Sequence, residues 1–114
     1  MMAVAGALTL ATPAQAAATV SCTAPPHSAN GEGAGVLNGS HALDSAPYAS
    51  CSNVTTLASG TMVYYRCFYV NDYGNLWWYV RVAGTSTYGW ESDDNLTSVW
   101  YDDNGDGYMT YYAC

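Results

Sequence analysis

The sequence predicts an all-β domain, small and held by two disulfides. Three observations carry this. From residue 41 onward Tyr, Trp, Val and Thr dominate, and no 3.6-residue apolar period is visible. Turn chemistry interrupts these runs at short intervals, the pattern of a small barrel or sandwich. The chain also carries an even number of cysteines, Cys22, Cys51, Cys67 and Cys114, without the Cys/His spacing of a zinc site.

The elements follow in chain order. Residues 1–18 form an apolar, alanine-rich stretch without a charge. Its small-x-small sites at Ala14-Gln15-Ala16 and Ala16-Ala17-Ala18 fit an export signal, and it is too short to span a bilayer. No basic residue precedes Arg66, so the expected start of the precursor lies further upstream. Residues 19–40 are poor in bulky apolar side chains. Pro25-Pro26 and Gly31-Glu32-Gly33-Ala34-Gly35 break regular structure, so this segment is expected to be a flexible arm.

Strands are expected at 54–58, 61–70, 76–82 and 88–91, with turns at Ser59-Gly60, Asn71-Asp72-Tyr73-Gly74-Asn75 and Ala83-Gly84-Thr85. Ser92 caps a single helical turn ending at Leu96. Residues 98–101 and 108–112 complete an expected C-terminal hairpin within 97–114. In the strand at 76–82, alternation places Trp78, Val80 and Val82 on a core face and Trp77, Tyr79 and Arg81 on the other. Trp90 is expected in the core as well.

Four cysteines allow three pairings, and the sequence does not select one. If Cys51–Cys67 stapled neighbouring strands, Cys22–Cys114 would tie the two ends together. These loops would contribute roughly 3 and 4–5 kcal/mol in the chain-entropy picture. Such pairs imply an oxidising compartment.

The net charge of −7, with Arg66 and Arg81 the only Lys or Arg residues, argues against nucleic acid and anionic membrane surfaces as partners. Almost no cations are present to displace counterions. Eleven tyrosines and four tryptophans exceed what a core of this size hides. Tyr48, Tyr69, Tyr73, Trp77 and Tyr79 are therefore the candidate ligand-binding residues, because aromatic faces stack on sugar rings and peptide planes. Asp102-Asp103-Asn104-Gly105-Asp106-Gly107 matches the first half of an EF-hand loop. Asp102, Asn104 and Asp106 are its candidate calcium ligands, but Ala113 stands where the twelfth-position Glu belongs, so any affinity is expected to be weak. Asn104-Gly105 equally favours a hairpin turn. Six of the nine acids, Glu91, Asp93, Asp94, Asp102, Asp103 and Asp106, fall within sixteen residues and are expected to form a solvated face. No nucleophile motif is present, so no catalytic residue and no required cofactor are expected.

Four stretches in order resemble the bacterial SH3 (SH3b) domain. Pro47-Tyr48-Ala49-Ser50-Cys51 resembles the loop before its second strand, and residues 53–63 resemble its V-x-x-L-x-x-G-T-x-V stretch. Trp77-Trp78-Tyr79-Val80-Arg81-Val82 resembles the aromatic W-Y-K-V strand. Gly89-Trp90 followed by Asp94-Asn95-Leu96 resembles the closing G-W-V … L segment. The family's first strand, L-N-V-R, is represented by His41-Ala42-Leu43-Asp44. The resemblance covers 41–96 and implies an SH3-like barrel. It also implies a secreted, non-catalytic module that binds peptidoglycan peptide or an extracellular protein through its aromatics. The alternative expectation is an adaptor subunit or inhibitor in a secreted assembly, working through the N-terminal arm.

Overall fold

The computed structural model describes residues 19–114; the expected export signal at 1–18 lies outside them. Seven strands form one antiparallel sheet: β1 (Ala34–Leu37), β2 (His41–Asp44), β3 (Asn53–Leu57), β4 (Met62–Val70), β5 (Leu76–Val82), β6 (Tyr88–Ser92) and β7 (Leu96–Val99). A 3₁₀ turn, Asp93–Asn95, separates β6 from β7. The hydrogen-bonded order is β3-β2-β6-β5-β4-β1-β7.

The turn at 58–61 links β3, at one edge, to β4 in the middle of the order, so the sheet must bend back on itself. Leu57 of β3 and Leu96 of β7, from opposite edges, accordingly share one buried cluster with Leu37, Leu43, Val63, Tyr65, Trp78, Val80 and Val82. Tyr65 and Trp78 stack at its centre, ring centroids 4.1 Å apart and 9° from parallel. The Tyr65 hydroxyl finds a polar partner in Ser98 Oγ at 2.8 Å, as a buried phenol requires. The expected core residues Trp78, Val80, Val82 and Trp90 are all buried.

Two expectations are corrected. Residues 19–40 are not a flexible arm throughout, because β1 lies between β4 and β7, with Ala34 paired to both Tyr64 and Val99. The glycines that looked like breakers permit this. Gly33 sits at φ 98°, and a Cβ on Gly35 would lie 2.5 Å from the Tyr65 hydroxyl. There is also no C-terminal hairpin. Leu96–Val99 pairs with β1 instead, and the chain end runs along β4 through a parallel bridge between Phe68 and Ala113. Its backbone is satisfied there: Phe68 N–H donates to Tyr112 O at 2.9 Å and Cys114 N–H to Phe68 O at 2.8 Å.

The disulfide pairing, left open by the sequence, is Cys22–Cys51 and Cys67–Cys114. Cys51 precedes β3, and β2, β6 and β5 stand between β3 and β4, so Cys51 and Cys67 are not on neighbouring strands. A bulge between Tyr65 and Cys67 decides the rest. One extra residue, Arg66, reverses the alternation of β4. Phe68, not Cys67, then continues the core face opposite Trp78. Cys67 turns to the outer face, opposite Tyr79, where the chain end arrives.

Replacing Cys67 and Cys114 together by Ser is expected to lower stability by about 2–4 kcal/mol, given the 47-residue separation the bond closes. Urea unfolding reads the loss. Limited proteolysis should cut within 100–114 first, where the chain is held by few backbone bonds.

Candidate functional site

Beside the β2–β6 contact the surface opens into a cleft of about 490 Å³, whose walls include Asp44, Asn53, Asn75, Trp77 and Asn95. A smaller hollow of about 210 Å³ adjoins it, sharing Ala49, Asn75 and Trp77 and adding Tyr48 and Tyr73. Trp77 therefore stands where the two meet, and together they form one groove.

Two loops and a turn build its walls. The loop at 45–52 is pinned to the end of the β2–β3 pair by Ser45 N–H donating to Ser52 O at 2.9 Å. Its interior is the small buried group Ala46, Tyr48 and Cys51, and Cys51 is bonded to Cys22. The β4–β5 turn is organised by Asn71, which is buried. Asn71 Oδ1 accepts from Tyr73 and Asn75 N–H at 3.0 and 3.1 Å, and its Nδ2 donates to Pro47 O at 2.8 Å. One side chain thus shapes the turn and ties it to the neighbouring loop. On the far wall Ser92 Oγ accepts from Asp94 N–H, capping the 3₁₀ turn as expected from sequence. Asn38 Nδ2 donates to Asp94 O at 2.9 Å.

Two buried acids lie at and behind the groove. Asp44, 5 % exposed, ends β2 at a register shift and pairs with Trp90 of β6. Glu91, 0 % exposed, follows Trp90 and accepts at Oε2 from Asn95 Nδ2 at 2.8 Å. Four buried side-chain polar atoms lack a hydrogen-bond partner among the described residues. Two of them, Asp44 Oδ1 and Trp77 Nε1, belong to residues that line the groove, and a third, Glu91 Oε1, to the acid behind it. Burial pushes the Asp44 carboxyl up to about 6. Burial also pushes Glu91 up to about 7; the negative charge of Asp44 adds to the rise, and the Asn95 bond opposes it. The expectation of a solvated acidic face therefore fails for Glu91. Its strand position faces the Trp78 side of the sheet, not the turn that follows.

Of the five aromatics named from sequence, Tyr48, Tyr73 and Trp77 converge on this groove. Trp77 is 4 % exposed and Tyr48 5 %, because the two loops cover them, whereas Tyr73 is 56 % exposed. Tyr69 and Tyr79 lie elsewhere on the outer face, against Trp90. His27 of the N-terminal segment packs on Tyr79 and Trp90, its ring 4.3 Å from that of Tyr79. Sequence reasoning missed Asp44 and Glu91. A signal was available: in the stretches resembling SH3b, Glu91 takes the place of the Val in G-W-V, and Asp44 that of the final Arg in L-N-V-R.

The acidic loop is a separate feature. Asp102 Oδ1 accepts from Gly105 and Asp106 N–H and Oδ2 from Gly107 N–H, while Asp106 Oδ1 accepts from Tyr108 N–H. Asn104 Oδ1 accepts from Asp106 N–H at 3.1 Å. A carboxylate from outside the motif, Glu32, comes within 4.8 Å of those of Asp102 and Asp106. It accepts from Thr110 N–H at 3.0 Å. Backbone donors thus account for the shape of the loop.

The Asp44 and Glu91 carboxyls both titrate higher folded than unfolded, where 3.8 and 4.5 apply. Between those values and about 7 the folded state holds more protons, so stability falls as pH rises through that window. Asp94 and His41 line the same cleft and Asp93 bonds Trp78, so a variant is needed to isolate the pair. The unfolding free energy should drop by on the order of 1–3 kcal/mol between pH 4.5 and 7.5. Glu91→Gln should flatten much of that slope in urea titrations. Comparison with protein-family models, curated proteins and solved structures gives no match for this chain.

Proposed function

We propose that the chain is an extracellular, non-catalytic binding module of SH3b type that recognises a peptide of the cell wall or of another extracellular protein in the groove at Trp77. The observation that carries this reading is the groove itself. Three aromatics, Tyr48, Tyr73 and Trp77, and the amides of Asn53, Asn75 and Asn95 line two connected hollows. Aromatic faces with amide hydrogen-bonders suit an extended peptide, whose backbone alternates donors and acceptors. The strongly curved sheet supports an SH3-like barrel.

Two disulfides suit an oxidising compartment. No helix among the described residues is long and apolar enough to cross a membrane. Glu91, the more strongly shifted carboxyl, is fully buried and does not line the groove, which favours binding over acid–base catalysis. The adaptor reading loses the premise of a free arm, since removing 19–40 would remove β1.

Co-sedimentation with purified peptidoglycan tests the wall version. Wild-type protein should be retained, and Tyr73→Ala, at an exposed position, should cut retention about tenfold without altering the fold. Absence of retention refutes it.

A further inference from the structure

Of the four unpartnered buried side-chain polar atoms among the described residues, two belong to residues lining the larger cleft and one to the acid behind it. Asp44 Oδ1 and Glu91 Oε1 accept hydrogen bonds, while Trp77 Nε1 donates one. Buried polar groups are ordinarily satisfied, and a carboxylate without a donor is costly. Asp44 and Trp77 both line the larger cleft. Glu91 stands behind it, joined to the cleft wall through Asn95, and adds negative charge without touching the cleft. The chain's two arginines are not among the residues lining this cleft.

A ligand that satisfies this pattern carries a strong multiple donor beside an acceptor. We infer that the cleft takes a primary ammonium group of a peptide, which pairs with the Asp44 carboxyl while the neighbouring peptide unit lies against Trp77. This rests on the peptide-binding reading above and names the group that anchors the peptide. An ammonium supplies three donors on a small head, and the cleft offers acceptors around it: Asp44, the Asn53 and Asn95 side-chain oxygens and Ser92. The peptide chain would continue past Trp77 into the hollow of Tyr48 and Tyr73.

The test uses the full chain and the peptide Ac-Ala-Lys-Ala-NH₂, with its Nε-acetylated analogue and glucosamine as controls. Calorimetry should show saturable binding of the lysine peptide, weakened at least tenfold by acetylation. Asp44→Asn should weaken it at least tenfold, while Asp106→Asn, an acid in the remote loop, should leave it unchanged. That contrast separates a site from general attraction to a chain of charge −7. A wild-type readout removes dependence on the variant's folding. In ¹H–¹⁵N spectra the Trp77 indole signal should move on titration, and the Trp78 indole, held by Asp93 Oδ1 at 2.9 Å, should not.

Equal binding of the acetylated peptide, a still Trp77 indole, or equal losses for Asp44→Asn and Asp106→Asn overturns the inference. Binding of glucosamine in place of the peptide also overturns it. Retention on peptidoglycan that ignores Asp44→Asn sinks the ammonium assignment and leaves the module reading standing. Lysine-peptide binding without wall retention sinks only the cell-wall version and leaves the ammonium assignment standing.

Discussion

Strands β2 and β6 meet through one register pair, Asp44 opposite Trp90. This narrow contact joins the β2–β3 hairpin to the other five strands. It exists because residue 89 is glycine. A Cβ there would sit 2.6 Å from Leu43 Cγ and 3.0 Å from Asp44 O, closer than a packed side chain tolerates. Without that approach the hairpin would have no partner, and Leu43 and Leu57 would lose their place in the core.

The same contact buries two acids. Holding β2 against β6 takes Asp44 and Glu91 out of water, and the charge of Asp44 adds to the cost of ionising Glu91. A core made only for stability would place apolar side chains here, since unpaired buried carboxyls contribute nothing favourable. Strain of this kind at an open cleft is what a binding site tends to carry. The arrangement thus links a packing constraint in the sheet to the electrostatics of the groove.

The second layer of aromatics follows from another local event, the bulge at Arg66. By reversing the alternation of β4 it sends Tyr69 outward to meet Trp90, and Cys67 to meet Cys114. The N-terminal segment then covers this face with His27, and Cys22 anchors the segment to the loop at 45–52. The two disulfides each tie a chain end to the sheet or its loops, rather than to each other. Both ends therefore contribute to the outer surface, and the segments at 19–33 and 100–114 belong to the folded unit.

What the sequence by itself determined is what depends on neighbours along the chain. The all-β class, the strands between 53 and 92, the turn at 71–75, the Ser92 cap and the core face Trp78, Val80 and Val82 all follow from period and turn chemistry. Tertiary structure decided the matters that hang on strand order and on single-residue register. It placed β1 inside the supposed arm, chose among the three cysteine pairings, covered Trp77, and buried Glu91 in a run of acids that looked solvated. Composition reads a glycine-rich stretch as loose and an acid as exposed. Only the partner strand shows that Gly35 makes room for Tyr65 and that Glu91 turns inward on the Trp78 face.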